Sequence, residues 1–307
     1  MSIWWKLCLA ALAFAIAPRA AEAQSWVGDR GRISVGLQTS FQWADKTYEG
    51  DLRITGVDAQ QARNTLRLDY VPIERLGLEA GLTFLQLDRY TGPQMGRPGV
   101  LLAHGDNDDG DWHSSVSDAT LAVRYQLLDK GIAATPVLFA KIPVGDYEER
   151  GYAATGTGLL ELGGGAYVGK LGLFSERIFA QAGYTFTWVQ KQDNGGAETE
   201  AFNTHYSSGH VDAGYLFGEA LTAALVFDVL WTHGGFNLVD IDTTSDEVFE
   251  WHDSILQRKA ISTGAALGYQ VGSSWDLSLA FAAVLWGDNV SNAKTVTLGL
   301  SWFYLPE

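Results

Sequence analysis

The chain has 307 residues, of which 47% are hydrophobic and 12% aromatic, and it carries a formal net charge of −15 at pH 7. This acidic balance argues against nucleic acid as a partner, because a nucleic-acid-binding surface needs clustered lysine and arginine. The single cysteine, Cys8, excludes a disulfide within the chain and a site made of several thiolates.

The N-terminal 23 residues have the pattern of a secretory signal peptide. Lys6 supplies a positive charge, an apolar run extends from Leu7 to Ala17, and Ala21-Glu22-Ala23 is a small-residue cleavage site. The apolar run is too short to cross a bilayer as a helix, which takes about 20 residues. We therefore predict that residues 1–23 are removed and that residues 24–307 form one domain.

Segments of about ten residues with apolar side chains at every second position follow this signal. In the first segment Ile33, Val35 and Leu37 share one face, and the polar Ser34 and Gln38 share the other. The sequence predicts twelve such strands, at residues 31–43, 63–71, 77–87, 116–127, 134–142, 159–168, 176–189, 209–217, 220–232, 258–269, 275–286 and 294–304.

The predicted connections alternate between short and long. The short ones are residues 72–76, 128–133, 169–175, 218–219 and 270–274, and the long ones are 44–62, 88–115, 143–158, 190–208, 233–257 and 287–293. Outer-membrane barrels have tight periplasmic turns and longer external loops, and an even strand number leaves both termini in the periplasm. We predict an all-β fold, a transmembrane antiparallel up-and-down β-barrel in the outer membrane of a Gram-negative bacterium.

Aromatic residues on the apolar face are sorted by strand end. The outer ends carry Trp43, Trp188 and Trp231, and the inner ends carry Tyr70, Tyr125, Tyr215, Tyr269, Trp275, Trp302 and Tyr304. Two such belts suit the two membrane interfaces, where amphipathic rings are favoured. A soluble β-sandwich, the alternative fold, has no reason to sort its rings in this way.

The opposite face of the strands carries charged residues that we predict to line the lumen: Arg67, Asp69, Glu79, Asp118, Arg124, Lys141, Glu161, Asp212, Asp228 and Asp276. Lys141 is placed inside because a charge facing lipid at mid-bilayer costs about 2–4 kcal/mol. These residues form either a charged constriction that selects solutes or a salt-bridged interior that makes the barrel rigid.

An H-x-S pattern, His205-Tyr206-Ser207, precedes Glu219 by twelve residues. Some outer-membrane lipid hydrolases combine such groups, with an acidic residue orienting the histidine that activates the serine. Here the predicted strand 209–217 separates Glu219 from Ser207 by roughly 30 Å or more, at about 3.3 Å per residue. The sequence also lacks motifs for binding a metal or cofactor. We therefore predict no enzymatic activity and no cofactor, and retain a lipid hydrolase as one alternative.

Three stretches resemble the outer-membrane family labelled "meta-pathway of phenol degradation". Residues 141–169 read KIPVGDYEERGYAATGTGLLELGGGAYVG, 118–125 read DATLAVRY, and 70–78 read YVPIERLGL. The resemblance implies a monomeric or oligomeric barrel that passes small, aromatic or hydrophobic compounds, and it supplies no catalytic residue. The chain departs from the usual aromatic C-terminal residue of such barrels, because Leu305-Pro306-Glu307 follows Tyr304.

The first functional hypothesis is a passive channel for small solutes, with selectivity from lumen charges and from inward folding of loops 88–115 and 233–257. Twelve strands lie between filled eight-stranded barrels and wide porins, which predicts a pore that is narrow or partly plugged. The other alternative is a structural or adhesive barrel with a plugged lumen and acidic loops. Expected partners are outer-membrane lipids, small-molecule solutes and the barrel-assembly machinery.

Overall fold

The computed structural model describes residues 25–49, 52–92, 108–129, 131–146, 149, 153–192, 198, 200–237, 240, 245, 248, 251–252 and 254–306. The predicted signal peptide, residues 1–23, lies outside the described residues, as do residues 93–107 of the predicted loop 88–115 and part of the predicted loop 233–257. No helix in the described part of the chain is long and apolar enough to cross a membrane.

Most of the described residues lie in β-strands. The strands are β1 (Ile33–Glu49), β2 (Leu52–Ile73), β3 (Leu76–Thr91), β4 (His113–Ser115), β5 (Asp118–Tyr125), β6 (Ala133–Pro143), β7 (Glu161–Leu171), β8 (Ile178–Val189), β9 (Tyr206–Phe217), β10 (Leu221–Thr232), β11 (Lys259–Val271), β12 (Trp275–Asp288), β13 (Val290–Ser291) and β14 (Lys294–Tyr304). Apart from the short β4 and β13, these are the twelve predicted strands.

The twelve long strands form one closed antiparallel sheet. Each pairs with its neighbour along the chain, and β1 pairs with both β2 and β14. At this seam Ile33 lies opposite Tyr304 on one side and opposite Tyr70 on the other. Closure removes the unpaired strand edges that an open sheet exposes. The predicted twelve-stranded barrel is therefore confirmed.

The two ends of the barrel differ in their connections. At one end, called the turn end, the strands are joined by residues 74–75, 126–132, 172–177, 218–220 and 272–274. Both termini of the described chain lie there. The other end, called the loop end, carries the connections 92–117, 144–160, 190–205, 233–258 and 289–293, with β4 and β13 as short additions to the wall.

The predicted loop 44–62 is wrong, because β1 and β2 continue through it as a long hairpin. Thr47 pairs with Ile54 and Tyr48 with Arg53, past an irregularity between Ala44 and Lys46. The alternation of apolar and polar residues that predicts a strand ends before this hairpin. It is present only in the part of a strand that has an apolar environment on one side. Beyond that band the strands are held by backbone hydrogen bonds, which leave no polarity pattern in the sequence.

Side chains alternate between the outside and the inside of the barrel. In β8 the rings of Tyr184, Phe186 and Trp188 are exposed, whereas Thr185 and Thr187 between them are buried. The apolar face thus points outward and the polar face inward, the reverse of a soluble barrel with an apolar core.

The glycine run of β7 allows neighbouring strands to approach closely. A Cβ on Gly163 would overlap the ring of Phe139, and a Cβ on Gly165 would overlap the carbonyl oxygen of Tyr184 and lie 2.7 Å from Thr185 Cα. Glycine inside a strand is typical of such places, where a neighbouring backbone approaches closely in a curved sheet.

Candidate functional site

Four of the predicted lumen residues lie together on the inner face of β2, β3 and β5, towards the turn end. Arg67 Nη2 lies 2.9 Å from Glu79 Oε2, and Arg67 Nε lies 3.2 Å from Asp69 Oδ2. Arg124 completes the group, with Nη2 3.6 Å from Asp69 Oδ1. We call these four residues the turn-end cluster. With two positive and two negative side chains, the cluster is electrically balanced.

A second group crosses β5, β6 and β7. Lys141 Nζ lies 3.0 Å from Asp118 Oδ2 and 2.8 Å from Glu161 Oε1. The hydroxyl of Tyr206 donates a hydrogen bond of 2.6 Å to Glu161 Oε2. Lys141 is registered opposite both Thr120 of β5 and Glu161 of β7. The register thus places Glu161 directly opposite Lys141, and Asp118 lies two residues from Thr120 on the same face of β5, so one ammonium group reaches both carboxylates.

A third group contains Asp212 and Asp228, which meet at a histidine that the sequence analysis had not selected. His210 Nε2 lies 2.8 Å from Asp212 Oδ1, and its Nδ1 lies 2.6 Å from Asp228 Oδ1. The amide of Gln181 donates a 2.6 Å hydrogen bond to Asp212 Oδ2. The tenth candidate, Asp276, lies apart from these groups and lines a cavity at the turn end.

The N-terminal residues Ser25–Gly28 lie across the turn end of the barrel. Thr135 Oγ1 donates a 2.7 Å hydrogen bond to Ser25 O, Ser25 N donates to Gln181 Oε1 at 3.2 Å, and Val27 N donates to Gln126 Oε1 at 2.8 Å. These contacts fix the segment to the wall at three separate points around its circumference.

Trp26 lies between two cavities at the turn end. One, of about 180 Å³, is also lined by Arg32, Asp69 and Arg124, and the other, of about 490 Å³, is also lined by Phe179 and other residues of the opposite wall. Trp26 and Arg32 both line the two cavities, so the indole lies at the boundary between them.

A polar cavity of about 630 Å³ lies nearer the loop end. Its wall includes Arg63, Arg67, Glu79, Asp118, Lys141, Glu161 and Arg258, together with the uncharged polar residues Gln38, Ser40, Thr65, Thr83, Gln86, Ser117 and Thr120. We call it the loop-end cavity. Arg63 and Arg258 were not among the predicted site residues.

Residues 153–158 of the β6–β7 connection fold into the barrel against β3 and β5. Gln86 Nε2 and Ser117 Oγ each donate a 3.0 Å hydrogen bond to Thr155 O. Asp108 Oδ1 accepts a 3.0 Å hydrogen bond from Ala153 N. This segment was not one of the two loops predicted to fold inward. Asp108, from one of those loops, contacts the segment, and Leu256, from the other, lines the same cavity.

The aromatic side chains predicted to form belts lie at the two ends of the outer face. Trp188 and Trp231 are exposed near the loop end, where Lys259 Nζ lies 5.3 Å above the ring of Trp231, and Trp43 stacks on Phe41 with 5.9 Å between ring centroids. The seven at the turn end are all exposed: Tyr70, Tyr125, Tyr215, Tyr269, Trp275, Trp302 and Tyr304.

The residues of the H-x-S pattern do not come together with Glu219. Glu219 lies in the turn after β9, whereas Ser207 is near the first residue of that strand. Ser207 Oγ instead lies 2.6 Å from His233 Nε2 and 2.7 Å from the hydroxyl of Tyr184. His205 does not contact Ser207 in this way; its Nδ1 accepts a 3.1 Å hydrogen bond from Val189 N.

The surroundings of His205 predict how its protonation depends on pH. Burial lowers the pKa of His205 below its ordinary value, and the nearby His233 and Lys191 lower it further. The folded chain therefore prefers the neutral His205 ring. The contribution of this ring to folding stability is complete above about pH 6.5, the pKa of histidine in an unfolded chain. This contribution is lost as the pH falls below that value. We expect an NMR titration midpoint for His205 below 6.5; a midpoint at or above 6.5 would contradict this assignment.

No family model and no curated protein matches the chain. Among solved structures it is similar to an outer membrane channel from Pseudomonas putida F1, with 14% identity and a TM-score of 0.69 over 92% of this chain and 98% of that one. The translocator domain of autotransporter NalP from Neisseria meningitidis gives 12% identity and a TM-score of 0.51, covering 92% of each chain. The beta domain of the Bordetella autotransporter Brka gives 12% identity and 0.50, covering 90% of this chain and 100% of that one.

These similarities show the fold of outer-membrane β-barrels. The resemblance to the phenol-degradation family stays a prediction, since no family model matches.

Proposed function

We propose that the chain is a channel in the outer membrane of a Gram-negative bacterium and that it passes small polar solutes without an energy source. The observation that carries this proposal is a closed wall with apolar side chains outside and charged side chains around internal cavities. A channel needs both features, because its outer face contacts lipid and its inner face contacts water.

The outer face supports the membrane location. Leu138 and Leu225 are each 69% exposed and Tyr184 is 57% exposed, and similar side chains continue around the barrel. Monomeric soluble proteins rarely expose a continuous apolar surface larger than a few hundred Å². In a bilayer this surface is covered by lipid, and the rings near its two edges lie at the interfaces.

The inner surface bears on the class of solute. The resemblance stated above implies aromatic or hydrophobic compounds, but the loop-end cavity is lined mainly by charged groups, hydroxyls and amides. Polar lining groups favour solutes that can replace the hydrogen bonds of water. The turn-end cluster, Trp26 and residues 153–158 would restrict passage to small molecules.

Planar-bilayer recordings with a cluster variant test this proposal. Replacing Asp69 with Asn and Glu79 with Gln together leaves Arg67 and Arg124 as uncompensated positive charges. We expect the wild type to open channels, and the reversal potential of the double variant in a KCl gradient to shift towards anion selectivity. Glu74→Gln is the control, because Glu74 is exposed in the β2–β3 turn at the same end of the barrel.

Folding of each protein is checked by comparing gel mobility before and after boiling, since a closed barrel migrates differently from the unfolded chain. If correctly folded wild type and a variant lacking the Trp26 ring both give no channel events, the channel proposal is wrong. That outcome would favour the structural barrel, for which Ser25–Gly28 across the turn end provides a plug.

A further inference from the structure

We propose that the loop-end cavity binds small carboxylates that carry hydroxyl groups. The inference rests on the proposed function, since the cavity would lie on the path of the solute. It names the chemical class that the channel would favour. It follows from a difference between the carboxylates of the wall, which are paired, and two guanidinium groups, which are not.

The carboxylates in the cavity wall already have partners. Glu79 pairs with Arg67, and Asp118 and Glu161 share Lys141. Glu161 also accepts the hydrogen bond from Tyr206, and Glu149 has an interaction of its own. Each carboxylate of the wall therefore already has a group that holds it in place.

Two guanidinium groups in the same wall have no hydrogen bond and no ion pair among the described residues, namely those of Arg63 and Arg258. Arg63 of β2 is registered between Ser40 of β1 and Gln86 of β3, and both its neighbours line the cavity. Asp88 and Asp118 attract its charge, but neither forms an ion pair with it. Arg258 lies just before β11, and its charge acts on the Tyr206 hydroxyl.

The chemistry of these groups indicates an anion. A guanidinium binds a carboxylate through two parallel N–H···O bonds, and such charge-assisted bonds are stronger than those between neutral groups. Arg63 and Arg258 are both exposed to the cavity, so a solute can reach them without breaking an existing pair. The volume of about 630 Å³ falls within the range of known small-molecule sites.

The uncharged lining specifies the rest of the solute. Gln38, Ser40, Thr65 and Thr120 present hydroxyl and amide groups to the same cavity. These groups both donate and accept hydrogen bonds, so they match the hydroxyl groups of a sugar acid or another hydroxy acid. An apolar acid would leave them without partners at a cost in binding free energy.

Calorimetric titration of the full mature chain in detergent tests the inference, with glucuronate as the anionic probe and glucose as the neutral one. We expect wild type to bind glucuronate and not glucose. Arg63→Gln or Arg258→Gln should each weaken glucuronate binding about tenfold, a loss of about 1.4 kcal/mol, and the double variant should abolish it. Arg53→Gln is the control, since Arg53 lies over the Tyr48 ring on the hairpin, away from the cavity.

Two results would overturn the inference: equal binding of glucose and glucuronate by wild type, or unchanged glucuronate binding by a correctly folded double variant. Benzoate binding as tight as that of glucuronate would remove the role of the hydroxyl groups. Titration does not require an open pore, so its result is separable from the conductance test. Binding without conductance would contradict only the proposed function, and conductance without binding would contradict only this inference.

Discussion

Replacing Gly165 with alanine is expected to prevent the barrel from closing. The added Cβ would overlap the carbonyl oxygen of Tyr184 and lie 2.7 Å from Thr185 Cα and 2.9 Å from Thr185 Cγ2. These are mainly backbone atoms of β8, so the clash cannot be relieved by rotating a side chain. Relief requires β7 and β8 to separate, at a cost above the roughly 1–3 kcal/mol of ordinary overpacking.

The control for this prediction is Gly209→Ala in the neighbouring strand β9. A Cβ there would have Val229 Cβ as its nearest neighbour at 3.8 Å, an ordinary van der Waals contact. Gel mobility of unheated samples should show folded G209A and little or no folded G165A. If G165A folds with a stability equal to wild type, the close approach of β7 and β8 described here is incorrect.

Replacing Trp26 with alanine is expected to raise single-channel conductance several-fold. The indole lines both cavities, of about 180 Å³ and 490 Å³, at the turn end, so we expect its removal to join them into one wider opening. The hydrogen bonds that fix the segment use the backbone of Ser25 and Val27, and the substitution retains them. The change should therefore act on the pore more than on the stability of the barrel.

Trp112→Ala serves as the control for the conductance measurement, because Trp112 is 45% exposed in the connection before β4. Its conductance should equal that of wild type. A folded W26A variant that also conducts like wild type would show that residues 25–28 do not obstruct the path of the solute.

The strands were predictable because each has an apolar outer face and a polar inner face over its central part. This contrast repeats at every second residue, and a one-residue slip would reverse it, so the sequence specifies both the strand and its facing. The hairpin beyond Trp43 lacks this contrast. Its pairing, such as Tyr48 with Arg53, therefore could not be predicted from polarity.

The site was less predictable than the wall. The alternation of side chains along the strand predicted that Arg67 and Asp69 face the lumen. It would also have selected Arg63, which lies on the same face of the predicted strand. The alternation did not indicate which charges would pair, because the register between strands places Lys141 opposite Glu161. The position of Trp26 had no sequence signal, because Ser25 and Val27 are fixed by residues 99–156 positions away.

The seam between β1 and β14 has a consequence for biogenesis. The predicted signal peptide implies export from the N-terminus, in which β1 would emerge first. One edge of β1 is paired only when the last strand arrives, as the pairing of Ile33 with Tyr304 shows. During that interval the edge could pair with another chain. We therefore expect β1 to need shielding until β14 arrives, and a chain that lost β14 would keep that edge exposed.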